Sequence, residues 1–285
     1  REYDSASVIA VCEGETLAGL VTIERLLAAD PTAAIRDIMD TSPPVVNPQT
    51  HQERVAWLAF QHGEPGLAVV DEHARFRGLV PAQSLLAVLL AEHDEDMARL
   101  GGFLSSASSA RSASTEPVAH RLAHRIPWIL IGLLGALFSA GLVGSFESVL
   151  EEQVLVAFFV PGVVYIADAV GTQTETLVIR GLSLGVEIRR VVARELLTGL
   201  MLGLLLALVT YPTVQLIWHD PDIALTVAVA MFAACSTATV VAMALPWLIQ
   251  RLGKDPAFGS GPLATVVQDL LTVVIYFAAA SVIAV

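Results

Sequence analysis

Apolar positions are spread unevenly along the chain. Beyond about residue 121 they run together in long stretches without charge, and before it they alternate with charged residues. A helix needs ~20 apolar residues to cross a bilayer. Five stretches satisfy this: about Pro127–Phe146, Val154–Leu177, Leu196–Ile217, Ile223–Ile249 and Gly261–Val285. Pro161, Asp168 and Gly171 interrupt the second, where a loosened helix is expected, because Gly and Pro weaken the helical ladder.

The N-terminal part reads as a small α/β unit. Val45-Val46-Asn47-Pro48 is a strand end and turn, and residues 51–62 form a helix with Val55, Leu58 and Ala59 inward. Gly66–Asp71 is a buried strand, Phe76–Val80 a second strand, and Ala82–Leu90 a helix. Gly19-Leu20-Val21-Thr22, followed by Leu26-Leu27, is echoed 59 residues later by Gly78-Leu79-Val80-Pro81 and Leu85-Leu86. Such self-similarity marks an internal repeat whose first copy is truncated. The Ser/Ala-rich Leu104–Pro117 reads as a linker. A short amphipathic stretch then carries His120 and His124, spaced for a zinc ion but without a third ligand nearby, so two surface histidines are the simpler reading. The expected organisation is an α/β domain at 1–100, a linker and connecting helix at 101–126, and a five-helix membrane domain at 127–285.

Composition agrees with that division. Hydrophobic residues make up 55% of the chain and charged residues 15%, against roughly 25% charged in a soluble domain. Mean hydropathy is +0.67. Residues 1–120 hold eight arginines, no lysine and 17 carboxylates. This balance argues against a nucleic-acid partner, which requires a basic face, and is compatible with binding cations. Cys12 and Cys235 lie in different halves and imply no disulfide framework. The chain opens mid-pattern on Arg1-Glu2-Tyr3 without an initiator Met or a leader, so upstream sequence is expected.

All eight basic residues after residue 120 fall before span one, between spans two and three, or between spans four and five. The alternate loops carry only acids: Glu147, Glu151 and Glu152, then Asp220 and Asp222. The positive-inside rule puts residues 1–120 in the cytoplasm and the C-terminus outside the cell membrane.

Three carboxylates stand inside the spans: Asp168, Glu175 and Asp269. Each costs ~2.5–3.5 kcal/mol on insertion scales, so each should face a partner or an aqueous path. Asp168 and Glu175 are seven residues apart and share a face if their helix is continuous, and Thr265 and Asp269, one turn apart, point the same way. A pairing of Glu175 with Arg180 is the structural alternative. The acidic run Glu92-His93-Asp94-Glu95-Asp96 is either a solvated face or a divalent-cation sensor, since carboxylate oxygens suit hard cations. Gly259-Ser260-Gly261 superficially offers a nucleophile. However, all seven histidines fall outside the expected spans and no HExxH occurs, so no enzyme is expected.

The repeat resembles the CBS (Bateman) domain pair. Such pairs often bind ATP through a Ser/Thr and an Asp after the Gly-containing strand. The first copy keeps Thr22 but has Arg25 at the Asp position, and the second has Pro81 and Leu85, so the nucleotide motif is broken in both. Three further stretches are similar to the MgtE family of magnesium channels and transporters. These are Arg125-Ile126-Pro127-Trp128, Gly171-Thr172-Gln173 with Thr176–Gly185, and Asp255-Pro256-Ala257 with Ser260-Gly261-Pro262, Asp269 and Ile275-Tyr276-Phe277. The resemblance covers nearly the whole chain.

It implies a CBS module joined to an all-α, five-span membrane domain, acting as a homodimer in the bilayer. A Mg²⁺ path at the subunit interface would be lined by spans two and five and closed by cytosolic Mg²⁺. Asp269 matches the pore aspartate. Thr265, Asp168, Gly171, Gln173 and Glu175 are the other candidate pore residues. Asp255 matches a cytoplasmic position that binds regulatory Mg²⁺, with Glu116, Asp94 and Asp96 as candidates opposite it. The family usually carries Asn where Ala169 stands and no charge where Glu175 stands. Ca²⁺, Mn²⁺ or Co²⁺ are therefore alternative cargoes, coupled export an alternative direction, and a membrane sensor without transport an alternative role.

Overall fold

The computed structural model describes residues 7–100, 117–183, 188–258 and 260–284. Contacts divide the chain into two units, at Asp94/Glu95.

In the first unit, β1 (Val8–Glu13) and β2 (Thr16–Thr22) form an antiparallel hairpin leading into α1 (Ile23–Ala28). After α2 (Ile35–Ile38), the second copy runs β3 (Val45–Val46), α3 (Gln52–His62), β4 (Gly66–Val70), β5 (Phe76–Pro81) and α4 (Ala82–Leu100), with α4 continuing past the unit boundary. Strand β3 pairs parallel with β4, and β4 antiparallel with β5. The sequence echo falls on the ends of β2 and β5, so the truncated copy is a hairpin and its following helix. Thr22 caps α1 by accepting a hydrogen bond from the Arg25 amide, the role a threonine at a helix start commonly has. Val46, Val55, Ala56, Ala59, Leu67 and Leu85 form one core, and Val8, Leu20 and Ala68 another. Gly19 is required by packing: a Cβ there would fall 2.4 Å from the Asp40 carbonyl oxygen, which accepts from the Leu20 amide.

Among the described residues the second unit holds five helices long and apolar enough to cross a membrane: α5 (Val118–Gly144), α7 (Leu155–Ser183), α8 (Ile188–Trp218), α9 (Pro221–Arg251) and α10 (Ser260–Ile283). A short α6 (Glu147–Glu152) joins the first two. The amphipathic stretch with His120 and His124 is the first turns of α5, continuous through Pro127. Helix α7 is likewise unbroken through Pro161 and Gly171.

Helix α9 is the centre, packing against α7, α8 and α10, while α5 leans mainly on α10. Small residues make this possible. Ala224, Ala230, Ala234 and Ala242 of α9 are completely buried. Gly199 and Gly203 of α8 admit the Thr239 side chain and the Phe232 carbonyl, where a Cβ would lie 2.3 and 2.9 Å away. Close approach at small residues is the usual packing mode where water supplies no drive between helices. The outer surface is apolar: Leu133, Leu134, Leu137 and Phe138 of α5 are exposed, as a lipid solvent allows. At one end, the Tyr276 hydroxyl donates to the Val156 carbonyl at 2.7 Å and Gln153 donates to Asp220 at 3.3 Å. The two acid-bearing loops therefore share one end of the bundle.

Candidate cation site

Asp269 and Thr265 lie on one face of α10, as their one-turn spacing requires. They open into a cleft of about 480 Å³ between α5, α7 and α10. Its other walls are small or apolar, among them Gly135, Ala136, Val160 and Val164. Asp269 is the charged residue of this cleft and is half-buried.

The neighbouring Gln268 points elsewhere, since consecutive helical residues diverge by ~100°. It is buried to 2% exposure against Gly171 of α7, where a Cβ would fall 1.9 Å from its Oε1. Gly171 thus serves the close approach of α10, and the helix around it keeps its regular course. Gln268 is a site residue the sequence reading missed. The available signal was an uncharged polar residue beside an aspartate in an apolar span.

Asp168 is half-buried and lies within electrostatic reach of both Glu175 and Asp269. Glu175 is buried to 4% exposure on the same face of the continuous α7. Gln173 is exposed, on a face turned ~140° from Asp168. Asp168 and Gln268 each present a buried oxygen without a hydrogen-bond partner among the described residues, and the buried Ser260 lies beside Glu175. No lysine or arginine makes an ion pair with Asp168, Glu175 or Asp269 among the described residues. Arg180, the alternative partner for Glu175, is exposed. Thr174, beside Glu175, reaches Glu195 of α8 at 3.5 Å. The result is a set of oxygen-bearing side chains spread over three helices, from Asp168 in the middle of α7 to Glu195 and Ser260 near the starts of α8 and α10. Oxygen donors of this kind suit a hard, hydrated cation and offer nothing to a soft metal. Ser260, at the first turn of α10, is fully buried beside the Glu175 carboxylate of α7.

Asp255 lies outside the spans, in the turn between α9 and α10. Its Oδ1 accepts from the Ala257 amide at 2.8 Å, and its Oδ2 is ion-paired with Arg99, which also pairs with Glu95. The acidic run is therefore not simply a solvated face. Glu92 is buried and accepts from Gln52, Glu95 holds Arg99, and Asp94 and Asp96 both have partners. Glu116 lies outside the described residues.

Residues 160–279 match the family model of MgtE, described as a divalent cation transporter, and residues 35–91 match that of the CBS domain. A magnesium transporter MgtE of Thermus thermophilus is 34% identical over 277 residues, covering 96% of this chain and 61% of the relative. One of Bacillus subtilis is 30% identical over 275 residues, covering 94% and 59%. A crystal structure of the cytosolic domain of the Mg²⁺ channel MgtE in complex with ATP is 32% identical over 30% of this chain and 35% of that one, with a TM-score of 0.28. The chain spans about three fifths of the length of the curated relatives it matches. A CBS module ahead of five apolar helices, with the family's match running over the acid-bearing α7 and α10, makes this chain a member of the MgtE family.

Proposed function

We propose that this protein is a divalent-cation channel or transporter that admits Mg²⁺ to the cytoplasm, through a pore at the interface of a homodimer. The reading rests on one observation: Asp269, half-buried in a cleft between three membrane helices, has no basic counter-charge among the described residues. A carboxylate so placed marks an ion path by default. Two copies of α10 meeting at a two-fold axis would set two Asp269 carboxylates against one divalent ion. Mg²⁺ gives up its water reluctantly, so one or two carboxylates acting through water suffice. Thr265 on the same face supplies a neutral oxygen. The relatives' name, magnesium transporter, agrees with this.

Inward movement needs no coupled partner. A negative interior favours a doubly charged ion by about 4.6 kcal/mol per 100 mV. Closure by cytosolic Mg²⁺ would act on the acidic residues of the CBS module, α4 and the Asp255 turn, with residues 1–120 in the cytoplasm and the C-terminus outside. Binding there shifts the gate only through a difference in affinity between its open and closed forms.

Uptake of Mg²⁺ into proteoliposomes should be lost in Asp269→Ala, and unchanged flux in that variant removes the site. A second cargo is favoured by a specific observation: Asp168, within reach of Asp269, adds an acid beside the pore face. Competition of Mn²⁺, Co²⁺ and Ca²⁺ against Mg²⁺ uptake, compared between wild type and Asp168→Gly, decides how far that acid broadens selectivity. Absence of flux for every divalent ion would leave a sensor role.

A further inference from the structure

A second cleft, of about 430 Å³, lies between α8 and α9. Its walls are apolar, Val192 and Leu196 on one side and Val240, Met243 and Ala244 on the other. Its mouth is cationic. Arg189 stands at the start of α8 and Arg251 at the end of α9, and the Arg251 guanidinium sits over the Trp247 ring, 4.6 Å from its centroid. Both arginines are exposed, and neither makes an ion pair among the described residues.

From Arg251 to Val240 is eleven residues of helix, ~16 Å at 1.5 Å per residue, about half of a ~30 Å hydrocarbon core. The cleft therefore has the depth of one leaflet. It has apolar sides at the depth of acyl chains and two guanidiniums at the depth of a headgroup. Trp247 marks the level between them, as interfacial tryptophans do. A free anion would find no use for the apolar walls, and a neutral lipid would leave both arginines without a counter-charge. Another cleft between these helices, lined by Leu204, Leu208, Leu225 and Phe232, has no charged residue and lacks this signature.

We propose that the α8–α9 cleft is a binding site for an anionic phospholipid of the leaflet that faces the basic loops. One acyl chain lies along Leu196 and Val240, and the phosphate sits between Arg189 and Arg251.

The test uses the full chain carrying Trp57→Phe, Trp128→Phe and Trp218→Phe, so that Trp247 alone fluoresces. It is reconstituted in vesicles containing brominated phosphatidylglycerol or brominated phosphatidylcholine. A basic residue near an anionic surface contributes about fivefold, so quenching of Trp247 should favour phosphatidylglycerol by about tenfold or more. Arg189→Gln with Arg251→Gln should reduce that ratio to near one. Ala244→Phe, which fills the cleft and leaves both charges, should do the same. Arg180→Gln with Arg194→Gln, which removes equal charge at the same end outside the cleft, should leave the ratio intact. Equal quenching by both lipids in the parent protein overturns the proposal, as does an equal loss in the Arg180/Arg194 control or a ratio untouched by Ala244→Phe. Absence of quenching by either lipid also overturns it, because the face is then covered by protein.

Discussion

Replacing Gly171 by alanine should destabilise the membrane bundle in the native background and stabilise it when Gln268 is truncated. A Cβ at Gly171 falls 1.9 Å from Gln268 Oε1, 2.6 Å from Cδ and 2.7 Å from Nε2. All three are closer than packed atoms allow. The carboxamide is the far end of a flexible side chain, but at 2% exposure it has nowhere to go without moving its neighbours. Overpacking of this kind costs ~1–3 kcal/mol. Against it stands the gain from replacing a mid-helix glycine, ~0.8–1.0 kcal/mol. The steric cost wins, and Gly171→Ala should lose about 1 kcal/mol. In Gln268→Ala the steric term disappears and only the helix gain remains, so the same substitution should add about 1 kcal/mol. The coupling between the two positions is then about 2 kcal/mol, inside the range found for residues in contact. Reversible unfolding of the four proteins in mixed micelles, titrated with a denaturing detergent, measures it. If Gly171→Ala has the same effect in both backgrounds to within about 0.5 kcal/mol, Gln268 does not pack on Gly171 and this account of the α7–α10 seam fails.

Two further outcomes are expected. Arg99 neutralises Asp255 and Glu95, so it competes with any cation for those carboxylates; Arg99→Gln should lower the Mg²⁺ concentration that closes the pathway, read from flux against internal Mg²⁺, and an unshifted or raised midpoint refutes the competition. In the CBS module, burial works against the Asp71 carboxylate, but the backbone amides of Arg75 and His73 and the guanidiniums of Arg77 and Arg75 outweigh it and hold its pKa well below the usual carboxylate range. A lowered folded-state pKa gives stability that is present above the ordinary carboxylate pKa near 4 and is lost as pH falls toward the folded value. Asp71→Asn should therefore increase amide exchange in the β4–β5 turn at neutral pH and flatten its dependence on pH below about 4, whereas parallel acid profiles in both proteins would mean that Asp71 is not held ionised by the turn.

Much of this protein was legible in its pattern of polar and apolar residues. The five spans follow from run length, because a bilayer imposes one length on every crossing helix. The CBS module followed from the alternation at Gly66–Val80 and the echo of Gly19–Thr22, because strands and turns are set by neighbours in sequence. Asp269 stood out because a charge inside an apolar run must be explained wherever it occurs. What depended on tertiary structure was which residues meet. The glycine and proline pattern suggested a loosened α7, yet Gly171 is a flat place for Gln268 and the helix runs through it. The continuity of α7 puts Asp168 and Glu175 on one side and Gln173 on another. Neither the burial of Gln268 and Ser260 nor the Arg99–Asp255 pair, 156 residues apart in sequence, could be read locally. Such contacts are fixed by how helices cross and how closely they approach, and that geometry belongs to pairs of elements that a single run of residues does not encode.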